Sequence, residues 1–155
     1  MLIHPRFSFA QANSDCYAEK DFLIITSAKE YQHALLVAQQ ASRTLNVKLD
    51  LRNLIPDTDT LIGLTLPVDS CLKYSREYER EDSNCYFARG RWDDGIYISI
   101  EYSNEYYSFS KGYFIVMVGS GFKNDPNLIT TLKKIKTKYT DAYIKTSKVY
   151  MCCTH

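Results

Sequence analysis

The chain has 155 residues, with 19 Lys plus Arg against 18 Asp plus Glu and a formal net charge of +1; that is the size of one ordinary domain, without the basic footprint that nucleic-acid binding demands. Hydrophobic residues make up 45% and charged residues 24%, with only 6 Gly and 4 Pro, a globular balance that excludes a disordered chain. No run of about 18 apolar residues occurs, so no membrane-spanning helix is expected.

At the N-terminus, "MLIHPRFSFAQAN" carries Ala10, Gln11 and Ala12 in the small-x-small spacing of a signal-peptidase site. The apolar stretch before it is shorter than the roughly 7 to 15 residues of a normal leader. Residues 1–20 are therefore read as either an N-terminal arm or the remnant of a leader, and 21–155 as one domain. "DFLIIT" (21–26) has strand length, and Ser27 with Glu30 three residues on reads as a helix start. From Tyr31, the residues Ala34, Leu35, Ala38, Ala41 and Leu45 recur at the spacing that paints one helical face. "VKLDL" (47–51) alternates as a strand, and "LIGLTL" (61–66) offers another.

Cys71 and Cys85 bracket the hydrophilic stretch "LKYSREYEREDSN" within an insert at 67–95. A disulfide between them would close a loop, worth about 3 kcal/mol in the chain-entropy model, in an oxidising compartment. The alternative is five reduced, partly buried thiols in a cytosolic protein. "CCTH" gathers Cys152, Cys153 and His155, but adjacent cysteines lack the spacing that chelates zinc, so no metal is expected.

"CYFARGRWDDGIYISIEY" then reads as a hairpin around Asp94 and Gly95. Ile96, Ile98 and Ile100 fall on one face, and Tyr97, Ser99 and Glu101 on a solvated one. The single Trp of the chain, Trp92, sits among Arg89, Arg91 and Asp93. That crowding of charge and aromatic beside a turn is what a plain hairpin explains least. Ser103 caps a short helical turn.

"YFIVMVGSGFKND" (113–125) runs a strand into what looks like a glycine turn at Gly119, Ser120 and Gly121. It lacks the spacing and the Lys-Ser/Thr pair of a Walker loop, and the third glycine of a dinucleotide fingerprint. No nucleotide cofactor is expected. Asp125 and Pro126 open a second helix with Leu128, Leu132, Ile135 and Tyr139 as its stripe, and "DAYIK" and "KVYMC" form a terminal hairpin through Thr146 and Ser147. Both halves share a strand-helix-strand grammar.

The stretch from Tyr113 to Cys152 resembles the core of the sporulation-related repeat (SPOR) domain: an aromatic-led strand ending in V-G-S, a leucine-bearing helix, then a strand pair ending near an aromatic. "DFLIITSAKEYQHALLVAQQASRTLNVKLDL" is similar in layout. The resemblance covers about half of the chain, and the Cys-rich insert departs from it. It implies an α+β fold in which an antiparallel sheet packs on two amphipathic helices from duplicated βαβ units. It also implies noncatalytic binding of peptidoglycan glycan strands in the bacterial envelope.

His4, His33 and His155 lie in no catalytic context, and Asp93 with Asp94 reads as turn chemistry, so no enzyme is expected. The expected ligand-binding residues are Tyr97, Tyr102 and Trp92, stacking on sugar faces, with Arg89 and Arg91 meeting carboxylate or carbonyl oxygens. A periplasmic or secreted location follows, with cytoplasmic as the alternative. The second functional reading is an inhibitor or immunity protein that blocks a toxin enzyme through "KYSREYEREDSN" or the Arg91–Asp94 loop.

Overall fold

A computed structural model describes residues 16–77 and 85–152 of the chain. In order these form β1 (Tyr17–Ala28), α1 (Tyr31–Leu45), β2 (Ile55–Pro56), β3 (Leu64–Thr65), α2 (Val68–Glu77), β4 (Gly95–Tyr102), β5 (Phe114–Phe122), α3 (Pro126–Ile135) and β6 (Tyr143–Tyr150). The fold is α+β: a four-stranded antiparallel sheet in the order β4-β5-β1-β6, with α1 and α3 packed on one face. Both crossovers skip a strand. From β1, α1 leads to β4 with β5 between them, and from β5, α3 leads to β6 with β1 between them. These are two interlocked split βαβ units.

Alternation along the strands sets the two faces. Leu23 and Ile25 of β1, Val116 and Val118 of β5, and Ile98 and Ile100 of β4 meet Ala34, Ala38 and Ala41 of α1 and Leu128 and Ile135 of α3. Three alanines on one helical face bring α1 close to the sheet. The helix ends at Asn46, in the left-handed conformation at φ 52, whose N–H donates to the Ser42 carbonyl. Its N-cap is Glu30, because Ser27 stays in β1. For α3, the Asp125 side chain accepts from the Asn127 N–H and Pro126 takes the first position.

Several elements differ from the sequence reading. The first unit closes on β4, not on 47–51, which contributes one parallel bridge from Leu49 to Ile98 along the outer edge of β4. Residues 61–66 yield only the two-residue β3, paired with β2. The hydrophilic stretch after Cys71 continues α2 as far as Glu77, and its remainder lies outside the described residues. Thr146 and Ser147 lie inside β6, which runs unbroken along β1, so there is no terminal hairpin.

The glycine turn is also not a turn. Gly119, Ser120 and Gly121 are strand residues of β5. The two glycines' lack of a side chain serves close packing instead: a Cβ at Gly119 would stand 2.6 Å from Leu128 Cδ2, and one at Gly121 would stand 2.5 Å from Asp125 Oδ2. The bend follows at Asn124, whose φ is 65.

The face of the sheet opposite the helices is covered by the chain's own 85–92 and 103–112 segments. Phe22, Ile24, Ile115, Met117 and Val149 bury against Tyr106 and Phe109, with Ala88 packed alongside. Gly90, at φ 111, lets the 85–92 strap pass over Phe22, where a Cβ would come within 2.8 Å of the ring.

Two disulfides tie this arrangement. Cys71–Cys85, the pairing expected from the bracketed loop, fastens α2 to the strap, and Cys16–Cys152 joins the residue before β1 to the second residue beyond β6. Cys152 is thereby withdrawn from the "CCTH" cluster, of which Cys153 and His155 lie outside the described residues. Both bonds are compatible with an oxidising, extracytoplasmic setting. No helix among the described residues is long and apolar enough to cross a membrane.

Candidate binding cleft

Alternation had assigned Tyr97, Ser99 and Glu101 to a solvated face, but the strap turns that face into a polar interior. Glu101 is fully buried. It accepts from Arg52 Nη1 at 2.7 Å through each oxygen and from the Tyr86 hydroxyl at 2.6 Å. Arg52 also donates to the Phe87 carbonyl at 2.6 Å and pairs with Asp93 at 3.3 Å, which joins the 46–53 loop, the strap and β4. Burial is the largest single influence and would lower the Arg52 pKa, but the Glu101 charge, the hydrogen bond to Glu101 and the Asp93 charge together outweigh it and hold the guanidinium above its ordinary value. Tyr86 and Tyr106 are pushed well above the usual phenol range by burial, with the Glu101 charge adding to it.

Arg89, expected at an exposed site, is 0% exposed. Its Nε donates to Ser120 Oγ at 3.0 Å, Nη1 to the Tyr97 carbonyl at 2.8 Å and Ser99 Oγ at 3.0 Å, and Nη2 to the Gly95 carbonyl at 2.7 Å. Its guanidinium lies 3.5 Å from the centre of the Tyr97 ring. Arg89 therefore bolts the strap to the sheet and has no free donor fork for a ligand. Tyr97 is half-buried beneath it, its hydroxyl donates to the Asp93 carbonyl, and burial pushes its pKa up to about 12.

Tyr102 is buried too, donating through its hydroxyl to the Thr60 carbonyl, with its ring tilted at 47° against Phe114. The exposed platform expected from Arg89, Tyr97 and Tyr102 is thus not formed: Arg89 of the strap covers Tyr97, and Tyr102 is buried against Leu54 and Leu64 of the segment before α2. Asp93 accepts from the Gly90 N–H, and Asp94 pairs with the fully buried Lys20 of β1. Of the expected set, Trp92 is exposed, at 72%, and Arg91, like Tyr97, is half-buried.

Arg91 lines a different site. Where β1 and β6 begin and end, Tyr17 and Tyr150 meet edge-on at 5.3 Å between ring centres. Tyr107, carried in by the 103–112 segment, stands edge-on to Tyr17 at 5.8 Å, their hydroxyls 3.1 Å apart. That contact, with some burial, raises the Tyr17 pKa. Together with Arg91, Lys148 and Glu105 these rings border a cleft of about 240 Å³ floored by Ala88, Tyr106 and Val149. Tyr107 is 67% exposed and Tyr17 39%. The Cys16–Cys152 bond lies directly beside Tyr17, and the Cys152 carbonyl accepts from Arg91 Nη2 at 3.0 Å.

A wider groove of about 750 Å³ lies between Tyr31, Leu61, Tyr102 and Phe114. Its lysines are already engaged. Lys111 donates to the Asn104 and Tyr106 carbonyls, and Lys29 sits 4.0 Å over the Tyr113 ring. The smaller cleft is the one that joins exposed aromatic rings to a cation with donors to spare. Tyr17, Tyr107 and Tyr150 were not singled out from sequence. The only trace of them there is the count of 13 tyrosines, since they come from three separate segments with no common spacing.

No family model, no curated protein and no solved structure matches the chain.

Proposed function

We propose that this protein is a noncatalytic binding module of the bacterial envelope that holds a peptidoglycan glycan strand, with the Tyr17, Tyr107 and Tyr150 cleft as its seat. The observation that carries the reading is this tyrosine trio beside Arg91, with Tyr17 and Tyr107 exposed and Tyr150 half-buried. Tyr offers a flat apolar face and a polar tip together, which is what a sugar ring, apolar on its faces and hydroxylated at its edge, requires. A sheet with two helices on one face agrees with the SPOR-like layout, and two disulfides agree with an oxidising compartment. With the sheet face covered, the reading rests on this rim and not on the strands.

Cosedimentation with purified sacculi, before and after removal of stem peptides, tests the reading. Pelleting that increases once the glycan is stripped is expected, and no pelleting in either case would remove it. A partner-blocking role is the second reading. It is favoured by α2, which buries no residue and exposes Val68 and Leu72 while Cys71 pins it in place. A stoichiometric partner whose capture is lost in Leu72→Asp would support it, and capture unaffected by that change would count against it.

A further inference from the structure

Resting on the glycan reading, we propose that the cleft selects an acidic sugar, with Arg91 receiving the ligand's carboxylate while the tyrosines hold its ring. Arg91 Nε is buried without a hydrogen-bond partner. Among the described residues its only hydrogen bond runs from Nη2 to the Cys152 carbonyl, and none of their carboxylates stands within ion-pair distance of it. Arg89, two residues earlier, spreads four hydrogen bonds over the sheet. The contrast is informative. A guanidinium is a planar fork of five donors matched to a carboxylate, and a buried donor without an acceptor is costly. Arg91 keeps such a fork largely unused at the wall of a cleft.

Charge in the cleft agrees. Arg91 and Lys148 face a single acid, Glu105, so an anion enters a site with one positive charge in excess. The Arg91 guanidinium carbon is 5.9 Å from the Tyr150 ring centre, so one ligand can touch both ring and cation. The cleft's 240 Å³ suits about one sugar ring.

The shared chemistry, a carboxylate, could be borne by a sugar or by a peptide. Titration of the full chain with N-acetylmuramic acid, N-acetylglucosamine and acetyl-alanine, followed by amide chemical shifts, separates the sources. N-Acetylmuramic acid is expected to bind about tenfold more tightly than either other probe. Arg91→Gln should erase that preference, bringing N-acetylmuramic acid down to the level of N-acetylglucosamine, and Arg91→Lys should keep part of it. Equal binding of the acidic and neutral sugars would overturn the carboxylate assignment and leave the glycan reading standing. Preference for acetyl-alanine would overturn it in favour of a peptide acid. Binding of neither sugar, with sacculi still pelleting, overturns this site alone; absence of both kinds of binding overturns the glycan reading as well.

Discussion

Substituting Glu101→Gln keeps the shape of the side chain and removes its charge from the point where the 46–53 loop, the strap and β4 meet. Glu101 is fully buried, and Arg52 is mostly so, with 18% of its side chain exposed. Water can therefore compensate neither fully. Removing one partner of such a pair leaves the other charge stranded, at a cost of about 3–5 kcal/mol. For a domain of this size that lowers the melting temperature by roughly 10 °C. Thermal and urea unfolding of Glu101→Gln, Arg52→Met and the double variant measure both the cost and the coupling. The double variant should cost less than the sum of the singles by about 1 kcal/mol or more. A Glu101→Gln protein within 1 kcal/mol of the parent, or strictly additive costs, would refute the claim that this pair holds the strap in place.

Removing the long-range bond with Cys16→Ser and Cys152→Ser, a separation of 136 residues, should cost about 5 kcal/mol in the chain-entropy model, against about 3 for the Cys71–Cys85 bond at 14; equal losses in urea unfolding would contradict that order. Because Tyr97, Tyr86 and Tyr106 have folded pKa values above the ordinary 10.0, the folded state retains protons that the unfolded state gives up. Their contribution is whole below pH about 10 and is lost as pH rises beyond it. Tyrosinate absorbance should show surface phenols ionising first and these three only with loss of circular dichroism; early ionisation of every tyrosine would exclude the buried network. Gly119→Ala places a Cβ 2.6 Å from Leu128 and 2.9 Å from Ile96, both flexible side-chain ends, so a loss of about 1–3 kcal/mol is expected in the same unfolding assay.

The helices and central strands were legible because each carries its own period. The Ala34, Ala38 and Ala41 stripe, the Asp125–Pro126 start, and the alternation of Ile98 and Ile100 all lie where the pattern places them. Strand partners were not legible. β4 pairs with β5 and not with the residues before Asp94, a choice made by the long-range topology that local turn signals cannot express. The error at Arg89 has the same origin: a buried Arg and a solvated one read alike until the Ser99 and Ser120 hydroxyls that receive it are brought together from two strands. Cys71 and Cys85 could be paired because they bracket one short loop, whereas Cys16 and Cys152 meet only through the pairing of β1 with β6. The tyrosine cleft was hidden for the same reason.

Amide chemical-shift mapping of the isotope-labelled protein with glycan fragments released from stripped sacculi locates the ligand seat most directly. Shifts gathered on Tyr17, Arg91, Tyr107 and Tyr150 are expected, and should vanish in Tyr107→Ala while the rest of the spectrum is retained. Shifts gathered instead on α2 or on the Tyr31–Phe114 groove, or surviving that substitution unchanged, would contradict the assignment of the cleft.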